Sequence, residues 1–184
     1  GRVYRTGNTV IDATVMYMPK ALRRSKVMDM VSLDEFALAT LHRAENVDDP
    51  KTLRGMVDVL KGAPVPVVLP LHPRTELRLR ESGLKAEVES SKNIKLLPPA
   101  GYLDLLTLMS RSSFILTDSG GIQEEASSRV LKKRVFVMRR STERPEAVRA
   151  GYCTVVGTEP GKVLRALRAH MREPRTRFSP CPYG

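Results

Sequence analysis

Four short polar stretches each follow an apolar run, and each carries side chains that bind anions or move protons. The sharpest is Thr117-Asp118-Ser119-Gly120-Gly121-Ile122-Gln123-Glu124-Glu125-Ala126. It reads as a strand entering a Ser-Gly-Gly turn that opens a helix. Gly120 and Gly121 lack a Cβ, so a ligand can approach the backbone closely. The helix start offers free N–H groups and the positive end of a dipole, which suits a diphosphate. Ser119 adds a hydroxyl donor. Glu125, about one turn into the helix, suits the hydroxyls of a ribose. A serine N-cap with glycines for the turn fits the same letters.

The second stretch is Thr40-Leu41-His42-Arg43-Ala44-Glu45-Asn46. His42 can hydrogen-bond or titrate near neutral pH, and Arg43 can clamp a phosphate. Glu45 and Asn46 suit loop organisation. The third, Leu71-His72-Pro73-Arg74-Thr75, repeats the logic, and also fits a proline-initiated helix with exposed charges. The fourth runs Arg139-Arg140-Ser141-Thr142-Glu143-Arg144-Pro145-Glu146. Arg144 is placed to meet a negative oxygen, while Glu143 and Glu146 suit pairing with it or with sugar hydroxyls. Alone, this loop also reads as a surface salt-bridge cluster of small energetic weight. Together the four describe a site for a nucleoside diphosphate. A Gly-x-Ser-x-Gly nucleophile and a P-loop are both lacking, so the chain reads as a holder of ligand rather than an attacker.

The elements that position these stretches alternate. Strands are predicted at 36–41, 66–71, 94–97, 113–116, 134–138 and 154–156. Helices are predicted at 48–60, 73–82, 102–109, 120–128 and 159–172. The first of these has Asp48 or Asp49 as N-cap, Pro50 at the first helical position, and Leu53, Met56, Val57 and Leu60 on one face. Such alternation implies βαβ units, a parallel sheet and right-handed crossovers. Ligands of such sheets bind beyond the carboxyl ends of the strands, which is where the polar stretches fall. Residues 174–184, with Pro174, Pro180 and Pro182, read as an extended tail.

With 184 residues, 41% hydrophobic and 28% charged, the chain fits one globular domain with a substantial core. No apolar run is long enough to span a membrane. The start, Gly1-Arg2-Val3-Tyr4, has neither a signal core nor an initiator Met, and reads as a cut inside a longer protein. Cys153 and Cys181 are too few and too distant for a disulfide framework, which makes a reduced, cytoplasmic setting the default. His42, His72 and His170 lack metal-ligand spacing, so no metal and no cofactor is expected. The net charge of +11 is uneven: residues 128–184 hold 14 basic and 4 acidic side chains. That end reads either as a solvated helix face with a polar tail or as a surface for an anionic partner. Few aromatics and no Trp argue against single-stranded nucleic acid.

The motifs in order resemble the C-terminal half of the non-hydrolysing UDP-N-acetylglucosamine 2-epimerases. They are Thr6 to Asp12, His42 to Asp48, His72 to Thr75, Tyr102 to Asp104, Thr117 to Ala126, Thr142 to Val148 and Val156 to Thr158. The resemblance implies a Rossmann-like parallel sheet of about six strands with helices on both faces, one half of a glycosyltransferase-B-like fold. Residues 1–20 would be the interdomain linker and first helix, 21–173 the C-terminal UDP-binding domain, and 174–184 the tail. The catalytic carboxylates would lie in an N-terminal domain of the same enzyme, which as a full-length protein would form a homodimer.

The implied reaction inverts C2 of UDP-GlcNAc to give UDP-ManNAc, through elimination and re-addition of UDP, for polysaccharide precursor supply. This half would hold UDP. His42 and Arg144 would act on the leaving diphosphate with Ser119, Gly120 and Gly121. Glu125 would take the ribose, and Ala100 to Leu105 the uracil. Arg43 and His72 match positions implicated in binding a second, activating UDP-GlcNAc in bacterial members. Ala44 stands where many of those have Arg. The segment Ser127 to Lys133 is about two residues longer than the family's usual Gly- and Pro-containing turn.

Overall fold

The apolar runs become six parallel strands of one sheet in the computed structural model, which describes residues 2–4, 6–174 and 177–184. The chain enters through α1 (Thr9–Arg24) and α2 (Val27–Val31). Then come β1 (Ala37–Thr40), α3 (Ala44–Val47), α4 (Pro50–Gly62), β2 (Val67–Pro70), α5 (Pro73–Glu81), α6 (Lys85–Ser90) and β3 (Ile94–Leu97). The second half follows with α7 (Tyr102–Arg111), β4 (Ile115–Thr117), α8 (Gly120–Ala126), β5 (Val135–Val137), α9 (Pro145–Arg149), β6 (Cys153–Val155) and α10 (Pro160–Arg172). The spatial order is β3-β2-β1-β4-β5-β6, so the winding reverses between β1 and β4. That reversal opens a crevice at the carboxyl ends of those two strands.

Strand residues alternate between two cores. Ala37, Ala39, Val67, Leu69, Leu116 and Phe136 face one layer, built on α4, α5 and α10. Leu38, Val68, Ile115, Val135 and Val137 face the other, built on α1, α7 and α8. Apolar residues on both faces of every central strand are the expected signature of a parallel sheet covered on both sides. Of the two candidate caps of α4, Asp49 is the one used: its carboxylate accepts from the Thr52 N–H at 2.8 Å. Asp48 turns instead to Arg74 and Arg78, whose hydrogen bonds hold its pKa near the bottom of the carboxylate range, at about 2.

Three expectations are refined. The first helix runs to Arg24, so a boundary at residue 20 would cut through it. The longer segment after α8 is absorbed before the next strand begins. Lys132 takes a left-handed φ of 48° and the Lys133 N–H returns to the Ala126 carbonyl at 2.9 Å. Strand β5 then pairs in register with β4, Ile115 opposite Val135. Of the expected tail, residues 175 and 176 lie outside the described residues. The rest is irregular but docked: Phe178 stacks on Tyr152 at 4.6 Å, the Tyr152 hydroxyl donates to the Ser179 carbonyl, and the Asn8 N–H donates to the Tyr183 carbonyl.

Candidate functional site

Strands β1 and β4 end side by side at the winding reversal, and Asp118 closes the gap between them. It is fully buried and follows β4 directly. Its carboxylate accepts from the backbone N–H groups of His42 and Arg43, at 3.1 and 2.9 Å, and from the Asn46 side chain at 3.2 Å. The His42 Nδ1 lies 3.2 Å from its other oxygen. Burial alone would push this carboxyl upward. The His42 contact and the two backbone donors outweigh it, and the pKa falls below the ordinary aspartate value. Asn46 donates a second bond to the Met138 carbonyl at 2.9 Å, so the ends of β1, β4 and β5 are tied at one point.

Above this knot lies a cavity of about 290 Å³. His42 and His72 form one wall, with ring centroids 5.4 Å apart. His72 caps α5, its Nδ1 accepting from the Arg74 N–H at 3.2 Å. Burial and the neighbouring His42 lower its pKa. Ser119 and Gly121 form the floor at the start of α8, and Pro99, Ala100 and Leu105 an apolar lip. Glu125 closes the far side. Burial pushes its pKa up to about 7, against a hydrogen bond from the Tyr102 hydroxyl and with a further push from Glu124.

Of the residues expected in the site, His42, His72, Ala100, Leu105, Ser119, Gly121 and Glu125 meet at this cavity. Gly120, Arg43 and Arg144 stand on its flank. A Cβ on Gly120 would lie 3.2 Å from the Glu143 carboxylate and 3.8 Å from the Arg144 guanidinium. Of the two roles open to Glu143 and Glu146, an ion pair with Arg144 is not the one formed: the Arg144 Nε sits 2.5 Å from the Glu124 carboxylate. Glu143 instead bridges Arg43, at 2.7 Å, and Arg139, whose guanidinium groups reach it from the ends of β1 and β5, the two strands that flank β4. Arg74 faces away from the cavity onto Asp48.

Two residues of this site carried no role in the sequence reading, Asp118 and Gln123, and Tyr102, read there only as part of the uracil stretch, instead supports Glu125. A signal for the first existed in a carboxylate that directly follows a buried strand, a position where an unpaired charge is costly. Gln123 is likewise fully buried, in a helix whose buried positions also include Glu124 and Glu125. Among the described residues, no group of His, Cys, Asp and Glu is arranged to hold a metal ion, and no helix is long and apolar enough to cross a membrane. Of the C-terminal positive charge, Arg139 and Arg144 stand beside the cavity's flank. Lys162, Arg165, Arg168 and Arg172 lie exposed along α10, and Arg134 is buried against the Gly151 carbonyl and Thr154.

The strand order and the cleft at its reversal define a Rossmann-like α/β domain. The family model for UDP-N-acetylglucosamine 2-epimerase matches residues 1–184, and the chain belongs to that family. It is 36% identical to the UDP-N-acetylglucosamine 2-epimerase of Methanocaldococcus jannaschii over 191 residues, covering 100% of this chain and 52% of that protein. The crystal structure of that enzyme in complex with UDP-GlcNAc and UDP superposes with a TM-score of 0.87, over 98% of this chain and 51% of that one. The UDP-2,3-diacetamido-2,3-dideoxy-D-glucuronate 2-epimerase of Pseudomonas aeruginosa is 37% identical over 173 residues, 92% of this chain and 46% of that protein. The chain thus spans about half the length of the relatives it matches.

Proposed function

We propose that this chain is the UDP-holding half of a non-hydrolysing epimerase that interconverts UDP-GlcNAc and UDP-ManNAc. The observation that carries the reading is the cavity at the β1–β4 reversal, where His42, Ser119, Gly121 and Glu125 converge beside an apolar lip. Uracil lies against Ala100 and Leu105, ribose hydroxyls donate to Glu125, and the diphosphate lies between His42 and the start of α8. Arg144 reaches it from the Gly120 side.

In the reaction, the bond from the sugar C1 to the diphosphate oxygen breaks and C2 gives up its proton. The bonding electrons leave with UDP, and a 2-acetamidoglucal remains. UDP adds back after the sugar has turned. Charge that grows on the leaving diphosphate is met by His42, Ser119, the first N–H groups of α8 and Arg144. Preorganised donors of this kind are each worth about 2–4 kcal/mol in a transition state. Asp118 fixes the His42 ring, so that its Nε2 is the nitrogen left for the ligand. Proton transfer at C2 falls to carboxylates of an N-terminal domain of the same enzyme. This chain alone therefore binds without turnover. The full-length enzyme is a cytoplasmic homodimer, and a second UDP-GlcNAc meets His72 and Arg43.

The Pseudomonas aeruginosa relative favours a second reading, in which the same half serves a diacetamido uronate sugar on UDP. A hydrolysing epimerase, a glycosyltransferase and a basic nucleic-acid module are the remaining alternatives. The deciding experiment has two arms. Titration of this chain with UDP at two salt concentrations is expected to show saturable binding with modest salt sensitivity. A steep fall with salt and no uracil preference would indicate a polyanion binder. Incubation of the full-length protein with UDP-GlcNAc is expected to yield UDP-ManNAc. Free ManNAc plus UDP, a glycoside, or turnover of only the uronate nucleotide would each overturn the first reading.

A further inference from the structure

The flank that carries Arg144 is tied to the turn that carries Ser119 by one buried side chain. Gln123 lies on the inner face of α8 with no exposed surface. A buried amide is costly unless its polar atoms are bonded. Its Nε2 donates to the Ser119 carbonyl at 3.0 Å. Its Oε1 accepts from the Thr142 hydroxyl at 2.6 Å. The Thr142 oxygen in turn accepts from the Arg144 N–H at 3.1 Å, which satisfies the residue at the N-cap of α9. A continuous chain of hydrogen bonds therefore runs from Ser119 through Gln123 and Thr142 to Arg144. The adjacent residue of α8, Glu124, holds the Arg144 guanidinium itself.

We propose that the Gln123–Thr142 pair is a positioning device for the diphosphate. It sets the distance between the Ser119 turn and the Arg144 loop, so that two elements 25 positions apart in sequence close on one anion. Neither residue lines the cavity. The device gives a role to a fully buried amide whose two polar groups both reach neighbouring loops. It rests on the UDP reading above.

The test uses calorimetric titration of this chain with UDP and, separately, uridine, which lacks the phosphates. Thr142 is half-buried, so Thr142→Val preserves the shape and removes only the hydroxyl. It is expected to weaken UDP about three- to tenfold, the range of one or two neutral hydrogen bonds. Uridine affinity is expected to stay unchanged. Thr142→Ser, which restores the hydroxyl, is expected to recover UDP affinity. Gln123→Met is expected to reproduce the Thr142→Val loss, with thermal unfolding run beside it to confirm the fold. The inference is overturned if Thr142→Val binds UDP like the wild type while Arg144→Ala loses it, or if uridine and UDP weaken equally. Absence of UDP binding in the wild-type chain would count against the UDP reading itself, before any variant is compared.

Discussion

Replacing Glu125 by Gln should stabilise the fold at neutral and alkaline pH and leave it unchanged in acid. Glu125 is 9% exposed, and burial raises its pKa from an ordinary 4.5 to about 7. A carboxyl whose folded pKa lies above its unfolded one favours folding while it is protonated. Its contribution is full below about pH 4.5 and is lost as pH rises through 7. The gap corresponds to on the order of 3 kcal/mol once the carboxyl is ionised. Glutamine keeps the size and removes the ionisation. The stability difference between variant and wild type should therefore open between pH 4.5 and 7 and then level off. For a chain of this length 3 kcal/mol is worth roughly 6–12 °C in Tm. Urea unfolding of both proteins at pH 5, 6, 7 and 8 measures the difference directly. Tyr102→Phe removes the hydroxyl that supports the carboxylate and raises its folded pKa further, so the gap should still open near pH 4.5 but grow larger and level off at a higher pH. A difference that is constant across the pH range, or that grows toward acid, would refute the argument that burial controls this carboxyl.

Three further outcomes follow from the same geometry. Gly121→Ala should fold like the wild type, because the nearest atom to its added Cβ is 4.0 Å away, yet the methyl enters the diphosphate floor; calorimetry should show UDP affinity at least tenfold lower with Tm unchanged. Asp118→Asn turns an acceptor of several N–H groups into a partial donor, so denaturant unfolding should report a loss of about 2–4 kcal/mol, near that of breaking a buried charged cluster. Arg144→Ala should weaken UDP more than uridine, and equal loss for both ligands would place Arg144 away from the phosphates.

The sheet was legible because its strands are short apolar runs, each closed by a polar stretch, and that pattern survives without knowledge of packing. His42 and Ser119 were legible for the same reason, since each lies two residues past a strand end, whereas the lip at Ala100 and Leu105 was read only from the family resemblance. Helices α2, α3 and α9 were not, because segments of four or five residues hold little more than one turn and show no period. The docking of the tail depends on a stacking contact between Tyr152 and Phe178, which are 26 positions apart. The partner of Arg144 was not legible, because Glu143 and Glu146 are its neighbours in sequence whereas Glu124 is brought to it by the parallel packing of β4 beside β5.

That last point bears on how the site is built. The residues that meet the cavity come from loops after β1, β2, β3 and β4, while the residues that hold those loops together are buried and carry no exposed chemistry. Asp118 accepts from the loop after β1, and Asn46 extends that bond to the end of β5. Gln123 links the α8 turn to the loop before α9. Each of these is a polar group with almost no access to water, and each has its partners supplied by a different strand end. Removal of one partner leaves the other buried and unsatisfied, so a change at any strand end is felt at the rest. The expected consequence is a cleft whose width is fixed before any ligand arrives. A leaving diphosphate gains most from donors already in place when its charge develops, because no reorganisation is then needed at the moment of bond cleavage.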